Sequence, residues 1–309
     1  MSDRLRIATR GSRLALWQAE WVQRGILSRF PEVEVELVVL TTQGDRILDR
    51  PLAQIGGKGL FIKELEDALL EDRADLAVHS MKDVMAFLPE GLEISVITER
   101  DHPGDAWVSP QHESLEALPR GAVVGTSSLR RAAQLKHLRP DLEIRTLRGN
   151  VETRLRKVES GEYDAAVLAM AGLRRLGLEA HIRCALPREW MLPAIAQGAV
   201  GIETRTGDED TLRWLRHLDH PETRDALTAE REVLAQLEGN CQVPLAGFAE
   251  VQGAEIHLEA RLGSPDGATL LRAEGTAPRE SAQALGQQVA RQLLQQGGQR
   301  LLQDFASTH

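Results

Sequence analysis

The chain has little cysteine and no long apolar run. Only two of its 309 residues are cysteines, Cys184 and Cys241, too few for the disulfide framework of a small secreted protein. Neither belongs to a paired Cys or His spacing, so we expect no metal. Residues 1–7 have no long apolar stretch behind their charges, which predicts no secretory signal and no membrane span. These absences together lead us to expect a cytoplasmic protein.

The charge balance is acidic. There are 37 Lys and Arg residues against 46 Asp and Glu residues, a formal net charge of -9 with a sequence pI of about 5.6. Such a chain gives no reason to expect nucleic acid or an anionic membrane as a partner. A site for an anionic small molecule would therefore have to be a local basic cleft. The length suggests about two domains, each able to bury its own core.

Alternating strand and helix patterns over the first two thirds of the chain indicate an α/β fold. Residues 5–10 are typical of a strand, and Leu14, Trp17 and Trp21 are predicted to form the core side of the following helix. Ligands in such sheets bind beyond the carboxyl ends of the strands. Arg10 and residues 80–83 fall at such ends, and a second unit from about residue 100 to residue 197 repeats the arrangement.

From about residue 218 the pattern changes to helix, three strands and helix. Short turns between the predicted strands, at residues 252–253 and 264–267, indicate an antiparallel sheet. Cys241 lies on a small-residue turn before the first of these strands. Taken alone, it is either a packed small hydrophobe or a thiol presented to a carbon electrophile.

Several motifs follow one another along the chain. They are Arg10-Gly11-Ser12, Gly56-Gly57-Lys58-Gly59, His79-Ser80-Met81-Lys82-Asp83, Gly125-Thr126-Ser127-Ser128-Leu129-Arg130-Arg131 and Leu147-Arg148-Gly149-Asn150, with the segments around Gln197 and Cys241. In order and spacing they resemble the porphobilinogen deaminase family, also called hydroxymethylbilane synthase, over most of the chain.

This resemblance implies two α/β domains like those of periplasmic binding proteins, joined by a double crossover, and a C-terminal α+β domain with a three-stranded antiparallel sheet. The expected boundaries are residues 1–98 with 199–217 for the first domain, 99–198 for the second and 218–309 for the third. The third domain would carry the cofactor attachment point.

The resemblance also implies an activity. The expected enzyme is a transferase that condenses four porphobilinogen molecules head to tail into linear hydroxymethylbilane, with release of ammonia, in tetrapyrrole and haem biosynthesis. Its cofactor would be a dipyrromethane joined to Cys241 through a thioether, and the enzyme would be a monomer. Cys184 matches no reactive position of the family and is interpreted as structural.

Porphobilinogen bears acetate and propionate arms, so each added unit brings two carboxylates that need fixed positive groups. Arginine suits this task because its planar guanidinium binds a carboxylate bidentately and stays charged. Most isolated arginines are solvated surface groups, but an Arg130-Arg131 pair at a helix N-terminus opposes the helix dipole unless an anion compensates. By resemblance, the cofactor-binding residues are Ser80, Lys82, Asp83, Thr126, Ser128, Arg130, Arg131, Arg154 and Gln197, and the substrate-binding residues are Arg10, Ser12, Arg148, Arg154 and Arg175.

The resemblance assigns catalysis to Asp83. Loss of ammonia from the substrate leaves an azafulvenium cation, and a carboxylate against the pyrrole N–H groups would stabilise it. From the residues alone, Asp83 could instead be an N-cap or a salt-bridge partner of Lys82. Lys58, in the glycine-rich segment, is assigned to a lid; a phosphate loop is excluded because Gly59, not Ser or Thr, follows the lysine.

Three positions depart from the family pattern: Met85 replaces a usual proline, and Ala196 and Asn240 replace usual glycines. None removes a reacting group. Two other protein classes stay open on the sequence. One is a ligand-binding module of the periplasmic solute-binding kind, and the other is an enzyme that uses Cys241 as a transient nucleophile.

Overall fold

The computed structural model describes residues 4–42, 44, 62–237 and 243–308. The chain divides into two compact units. The first comprises Met1–Arg50, Gly57–Asp101 and Ala199–Arg224, and the second comprises Pro51–Gly56, His102–Gly198 and Asp225–His309. Because the second unit contains both its own α/β segment and the C-terminal segment, the three expected domain boundaries stay a prediction.

The first unit is built on a five-stranded sheet. Its strands are β1 (Arg4–Arg10), β2 (Glu34–Leu40), β3 (Leu76–Ser80), β4 (Leu92–Ile97) and β10 (Val200–Arg205), in the order β2-β1-β3-β10-β4. Strand β1 is parallel to β2 and β3, whereas β10 is antiparallel to β3 and β4. Its helices are α1 (Arg13–Arg29), α2 (Lys63–Leu70) and α6 (Glu209–Leu215).

Side chains alternate across this sheet because successive strand residues point to opposite faces. On one face Ile7 and Leu76 pack against Val22 and Ile26 of α1. On the other face Ala8 and Ala77 pack against α2 through Leu65, Ala68 and Leu69. Full burial of one such large apolar side chain contributes about 1.5–3 kcal/mol to folding.

The buried face of α1 differs from the predicted one. Its buried residues are Ala15, Gln18, Ala19, Val22 and Ile26, whereas Leu14, Trp17 and Trp21 are only partly buried. Small residues at Ala15 and Ala19 let the helix lie close to the sheet, so the large side chains flank the contact. The prediction that Leu14, Trp17 and Trp21 form the core stripe was therefore right only for Trp21, which packs against this core cluster, whereas Leu14 and Trp17 do not belong to it.

The second unit contains another five-stranded sheet. Its strands are β5 (Asp105–Val108), β6 (Val123–Gly125), β7 (Glu143–Arg145), β8 (Ala165–Ala169) and β9 (Cys184–Ala185), in the order β7-β6-β8-β5-β9. Its helices are α3 (Leu129–Leu138), α4 (Val151–Glu159) and α5 (Met170–Arg175). Strand β6 is parallel to β7 and β8, and β5 is antiparallel to β8. The chain leaves the first sheet after β4 and returns to it in β10, as the double crossover requires.

The C-terminal segment of this unit has the three-stranded antiparallel sheet that the sequence predicts. Strands β11 (Leu245–Gln252), β12 (Glu255–Gly263) and β13 (Leu270–Pro278) follow in that order. Helix α7 (Pro221–Gln236) precedes them, and α8 (Ala282–Leu293) and α9 (Gln299–Thr308) follow. The predicted fold class is confirmed. None of the described helices is long and apolar enough to cross a membrane.

The turn between β12 and β13 lies against helix α3. Gly267 has a φ of +72°, and an added Cβ would stand 2.6 Å from the backbone nitrogen of His137 and 2.7 Å from the carbonyl oxygen of Ala133. Backbone atoms cannot move aside as a flexible side chain can. Gly267 is therefore required both by its left-handed conformation and by close packing.

We expect Gly267→Ala to destabilise the protein more than Gly253→Ala. Both glycines have positive φ, but a Cβ at Gly253 meets nothing within 4 Å. Gly253→Ala should therefore cost only about 1–2 kcal/mol for the left-handed backbone, whereas Gly267→Ala should cost about 1–3 kcal/mol more for overpacking. Urea unfolding of the two variants measures this difference, and equal losses would contradict the packing argument.

Candidate functional site

In the first unit, several predicted site residues lie at the carboxyl edge of the sheet. Arg10 ends β1 and Ser80 ends β3, which are parallel neighbours. Ser12 is the N-cap of α1, where its Oγ accepts a hydrogen bond from the Ala15 amide at 3.3 Å. Gln18 of the same helix is buried, and its Nε2 donates to Ser80 Oγ at 2.8 Å. These contacts fix the segments after β1 and β3 to one helix.

Asp83 is exposed on a turn with buried neighbours. It ends a 3-10 turn formed by Met81–Asp83, and the buried side chains of Met81 and Val84 flank it. The Met81 amide donates to the carbonyl oxygen of Ala199 at 3.0 Å. The Met81 sulfur packs against Gly201, where an added Cβ would lie only 2.1 Å from it. Because Asp83 is the last residue of the turn, it does not cap the turn's N-terminus.

In the second unit, residues after β6 begin helix α3. Thr126 is buried, and its Oγ1 accepts a hydrogen bond from the Ser128 amide at 3.1 Å. Ser128 is the N-cap of the helix, with its Oγ 3.4 Å from the Arg131 amide nitrogen. Both predicted cofactor-binding hydroxyls thus also serve the start of this helix.

The arginine pair that follows is buried around a carboxylate. Arg130 and Arg131 are 4% and 6% exposed, and Asp105 is fully buried. Asp105 Oδ1 accepts from Arg131 Nη2 at 2.6 Å, and Asp105 Oδ2 lies 2.8 Å from Arg130 Nη1. Arg131 Nε also donates to Asp105 Oδ1, at 3.1 Å. Two guanidinium contacts go to backbone, with Arg130 Nη1 donating to Leu192 O at 2.7 Å and Arg131 Nη1 to Val167 O at 2.9 Å. Asp105, which sequence analysis missed, is therefore part of the compensating anion that this pair requires.

The ionisation of this cluster follows from its burial. Burial by itself would raise the pKa of Asp105, but the two guanidiniums hold that pKa well below its usual range. Burial lowers the pKa of Arg130, and the Asp105 carboxylate offsets only part of that effect. The carboxylate and the guanidiniums are therefore charged although they are buried. An unpaired charge in such a place would cost folding free energy.

Gln197 completes the cluster. It is 1% exposed, and its Nε2 donates to Asp105 Oδ1 at 2.9 Å and to Pro103 O at 2.7 Å. The residue before it, Ala196, has a φ of +60°, which explains why glycine is usual in the family at this place. The structure therefore places Gln197 beside the Arg130–Arg131 pair.

The remaining predicted arginines of this unit lie after other strands. Arg148 follows β7 and is partly buried, and its burial lowers its pKa. Arg154 Nε donates to Gly149 O at 2.8 Å, and Arg175 Nη2 donates to Gly198 O at 2.6 Å. Asn150 caps α4, with its Oδ1 accepting from the Thr153 amide at 2.9 Å.

The residues of this unit fit a dipyrromethane, which carries carboxylate arms. Two buried guanidiniums face one carboxylate, so the Arg130–Arg131–Asp105 cluster holds one surplus positive charge. Arg130 Nε is also buried with no hydrogen-bond partner among the described residues. A carboxylate is the group that would satisfy both features.

Three predicted residues lie outside the described residues, namely the attachment point Cys241, the lid residue Lys58 and Asn240. Helix α7 ends at Gln236, Leu237 is buried, and β11 begins at Leu245. The predicted attachment point therefore lies in the connection between α7 and β11.

A second buried acid lies in the first unit and was also missed. Glu203 of β10 is fully buried, and His79 Nε2 lies 2.7 Å from its Oε2. Burial, with the nearby Glu203 charge, raises the pKa of Glu66 on α2 to about 7. His79 is thus buried beside a carboxylate within the sheet. Nothing local in the sequence marks this pair, because 124 positions separate its members.

Comparison with known proteins identifies the family. A family model for the porphobilinogen deaminase dipyrromethane cofactor-binding domain matches residues 5–213, and one for the porphobilinogen deaminase C-terminal domain matches residues 225–295. The chain therefore belongs to the porphobilinogen deaminase family. It acts in tetrapyrrole biosynthesis, where it polymerises porphobilinogen, and it has a domain for the dipyrromethane cofactor. The expected enzyme class, hydroxymethylbilane synthase, is confirmed, and a solute-binding module is not supported.

Solved structures of solute-binding proteins are weakly similar. An ABC transporter periplasmic substrate-binding protein from Coxiella burnetii has 13% identity and a TM-score of 0.46, covering 74% of this chain and 96% of its own. The aliphatic sulphonate binding protein SsuA from Escherichia coli has 14% identity and a TM-score of 0.41, covering 77% and 71%. Similarity of this degree supports no inference about ligands.

We expect Asp105→Asn to destabilise the protein strongly, because it leaves two buried guanidiniums without a counter-charge. The loss should be about 3–5 kcal/mol at neutral pH. Since the pKa of Asp105 is lowered in the folded state, its contribution is present above the pKa of the unfolded chain and is lost as the pH falls through the folded-state value. The difference from the wild type should therefore shrink in acid.

The control is Glu143→Gln, which removes a carboxylate that binds Arg145 at 2.7 Å on the surface. Its effect on the free energy of unfolding should be much smaller, since exposed ion pairs contribute little. If urea titrations give equal decreases in the free energy of unfolding for the two variants, burial of the Asp105 cluster is not the reason that it stabilises the protein.

Proposed function

We propose that this protein condenses four porphobilinogen molecules head to tail into linear hydroxymethylbilane with release of ammonia, starting from a dipyrromethane joined to Cys241 through a thioether. The observation that carries the proposal is the buried Arg130–Arg131 pair with its surplus positive charge at the carboxyl edge of a sheet. Such a place binds a permanent anion. The matched family models support the same conclusion.

The bound dipyrromethane would supply a primer with a free α-carbon to which the first substrate is joined. Arg130 and Arg131 would hold its carboxylates. The other residues that we assign to cofactor binding are Ser80, Lys82, Asp83, Thr126, Ser128, Arg154 and Gln197. Because the pair is fixed by Asp105 and by backbone carbonyls, the guanidiniums are already oriented before any ligand arrives. Preorganisation of this kind reduces the cost of ordering side chains on binding.

Arg10, Ser12, Arg148, Arg154 and Arg175 would bind the carboxylates of incoming porphobilinogen, and Lys58 would belong to a lid. Partial burial strengthens this role at Arg148, because a partly desolvated cation gains more from a carboxylate than a solvated one does. In this proposal the enzyme is a cytoplasmic monomer.

Asp83 would be the catalytic residue. Its exposed carboxylate stands on a turn whose flanking side chains are buried, so it can meet a substrate ring without a large movement of the backbone. Loss of ammonia leaves a positive charge on the pyrrole, and a fixed carboxylate beside the ring N–H groups lowers the energy of that state. The same carboxylate can accept and return the protons that move when ammonia leaves and when the new carbon bond forms.

Cys241→Ser should abolish cofactor attachment, because a serine oxygen does not replace the thiolate as a nucleophile toward carbon here. Intact-protein mass spectrometry should find a dipyrromethane adduct on the wild type and none on Cys241→Ser. Cys184→Ala is the matched control and should keep both adduct and activity. An adduct on Cys241→Ser would refute the assignment of the attachment point.

Asp83→Asn should slow condensation without preventing cofactor attachment. The substitution keeps the size and an acceptor oxygen but removes the charge, so single-turnover rates with porphobilinogen should fall by roughly 10²-fold or more. Glu90→Gln, an exposed acid after the same turn, is the control and should leave the rate unchanged. Near-normal rates for Asp83→Asn, on protein shown by mass to carry the adduct, would assign Asp83 a structural role.

A further inference from the structure

Gln134 is a buried polar residue that the proposed mechanism does not use. It lies one turn after Arg130 on α3 and is 1% exposed. Its Nε2 donates to the carbonyl oxygen of Leu192 at 3.1 Å, and its Oε1 accepts from the Leu192 amide at 2.9 Å. The side-chain amide therefore pairs with both polar backbone groups of one residue, as a neighbouring strand would. This double contact fixes the Leu192 carbonyl relative to helix α3.

The Leu192 carbonyl is also a partner of the buried arginine pair. Arg130 Nη1 donates to it at 2.7 Å, and the same nitrogen lies 2.8 Å from Asp105 Oδ2. Two oxygens thus determine where this end of the guanidinium lies. A shift of the Leu192 carbonyl would therefore turn the Arg130 guanidinium away from its present orientation.

Arg261 of β12 supports this carbonyl from the C-terminal sheet. It is 5% exposed, and its Nη1 donates to Gln134 Oε1 at 3.2 Å and to the carbonyl oxygen of Glu189 at 3.0 Å. Gln134 Oε1 therefore accepts from two groups that can only donate, the Leu192 amide and a guanidinium, and these fix the orientation of the side-chain amide. The contact with Glu189 holds the backbone three residues before Leu192. One guanidinium thus holds both the glutamine and the segment that the glutamine binds.

The charge of Arg261 is compensated within its own sheet. Glu259 Oε1 accepts from Arg261 Nε at 2.8 Å and lies 2.8 Å from its Nη2. The same carboxylate oxygen lies 2.9 Å from Nε of Arg272, an exposed residue of β13. Because Arg261 already has a counter-charge, its effect on the arginine pair is one of geometry and not of net charge.

We propose that Arg261 is a positioning residue for the ligand carboxylate, because it holds the two groups on which the orientation of the Arg130 guanidinium depends. These groups are the Gln134 side chain and the backbone of residues 189–192. Arg261 does not itself bind the carboxylate; it acts through the Leu192 carbonyl. This inference rests on the proposed function, since it takes the ligand of Arg130 to be a carboxylate of the dipyrromethane.

The test measures the concentration dependence of cofactor loading. Protein free of adduct is incubated with a series of porphobilinogen concentrations, and intact-protein mass spectrometry gives the rate at which the adduct appears at each. In Arg261→Met the misoriented Arg130 should raise the half-saturating concentration of porphobilinogen by roughly 10- to 100-fold, because a charge-assisted hydrogen bond is lost. The maximal loading rate should change much less, since that bond stabilises the bound and the reacting states alike.

Arg261→Met is chosen because it spares the fold. Methionine keeps much of the apolar stem of arginine, and Glu259 keeps Arg272 as its counter-charge. Unfolded protein in the sample would lower the fraction that gains the adduct, but it would not change the half-saturating concentration of the folded fraction. A lower loaded fraction with an unchanged half-saturating concentration would therefore overturn the proposal.

Arg272→Met is the matched control. It removes an arginine from the same Glu259 carboxylate, and its guanidinium binds Glu259 and Glu274 on the surface of the sheet. This variant should load with the half-saturating concentration of the wild type. An equal rise in both variants would show that the Glu259 ion pairs, and not the contact with Gln134, determine binding, and the proposal would be wrong.

A double-mutant cycle with Arg130 separates positioning from a general effect. If Arg261 acts through the Arg130 guanidinium, Arg261→Met should cause no further rise in the half-saturating concentration once Arg130→Met has been made, since coupled sites are not additive. If the two rises multiply, Arg261 does not act through Arg130, and the inference is refuted.

Two further outcomes keep the test decisive. If Arg261→Met does not accumulate as folded protein, Gln134→Met takes its place and should show the same rise; an unchanged half-saturating concentration would overturn the proposal. If the wild type gains no adduct at any porphobilinogen concentration, the proposed function fails and this inference fails with it. Loading of the wild type and of Arg261→Met with the same half-saturating concentration refutes the Arg261 inference alone.

Discussion

The buried Asp105 carboxylate between two guanidiniums is the interaction on which the second unit depends. It joins β5, where Asp105 lies, to the first turn of α3, and through Gln197 it also holds the turn before β10. Charges in a desolvated place must be paired and hydrogen-bonded, so the positions of these three segments cannot vary independently. The geometry at the carboxyl edge of this sheet is thus determined by electrostatics as much as by apolar packing.

The same cluster explains how a structural charge network can also bind a ligand. One carboxylate does not neutralise two guanidiniums, and the remaining positive charge is held where water cannot screen it. A salt bridge between one cation and one anion has no net charge. This cluster, in contrast, becomes neutral only when a further anion binds to it. Ser128 and Thr126 hold the beginning of α3 with their side-chain oxygens. In the proposed function, binding and folding therefore use the same residues.

The sequence predicts the parts of this fold that depend on local patterns. Alternation along residues 5–10 and 76–79 places Arg10 and Ser80 at strand ends, and turn residues such as Gly253 and Gly267 define the C-terminal sheet. It does not predict the face of α1 that is buried, because the small residues Ala15 and Ala19 carry little hydrophobic signal. Asp105 and Glu203 were missed for another reason: their partners lie 26 and 124 positions away, and no local pattern encodes such contacts.

The two units differ in where their charged groups lie, and the proposed chemistry gives a reason for the difference. A permanently anionic ligand is best held by cations that are already desolvated, as Arg130 and Arg131 are. In the proposed chemistry a positive charge exists only during reaction, and the carboxylate that would offset it, Asp83, is exposed. Burial changes the behaviour of an acid elsewhere in the same unit, where the pKa of the partly buried Glu66 is raised to about 7. A carboxylate buried as Glu66 is would be protonated for part of the time at neutral pH, so an exposed turn above buried side chains suits a group that the proposal requires to carry a negative charge.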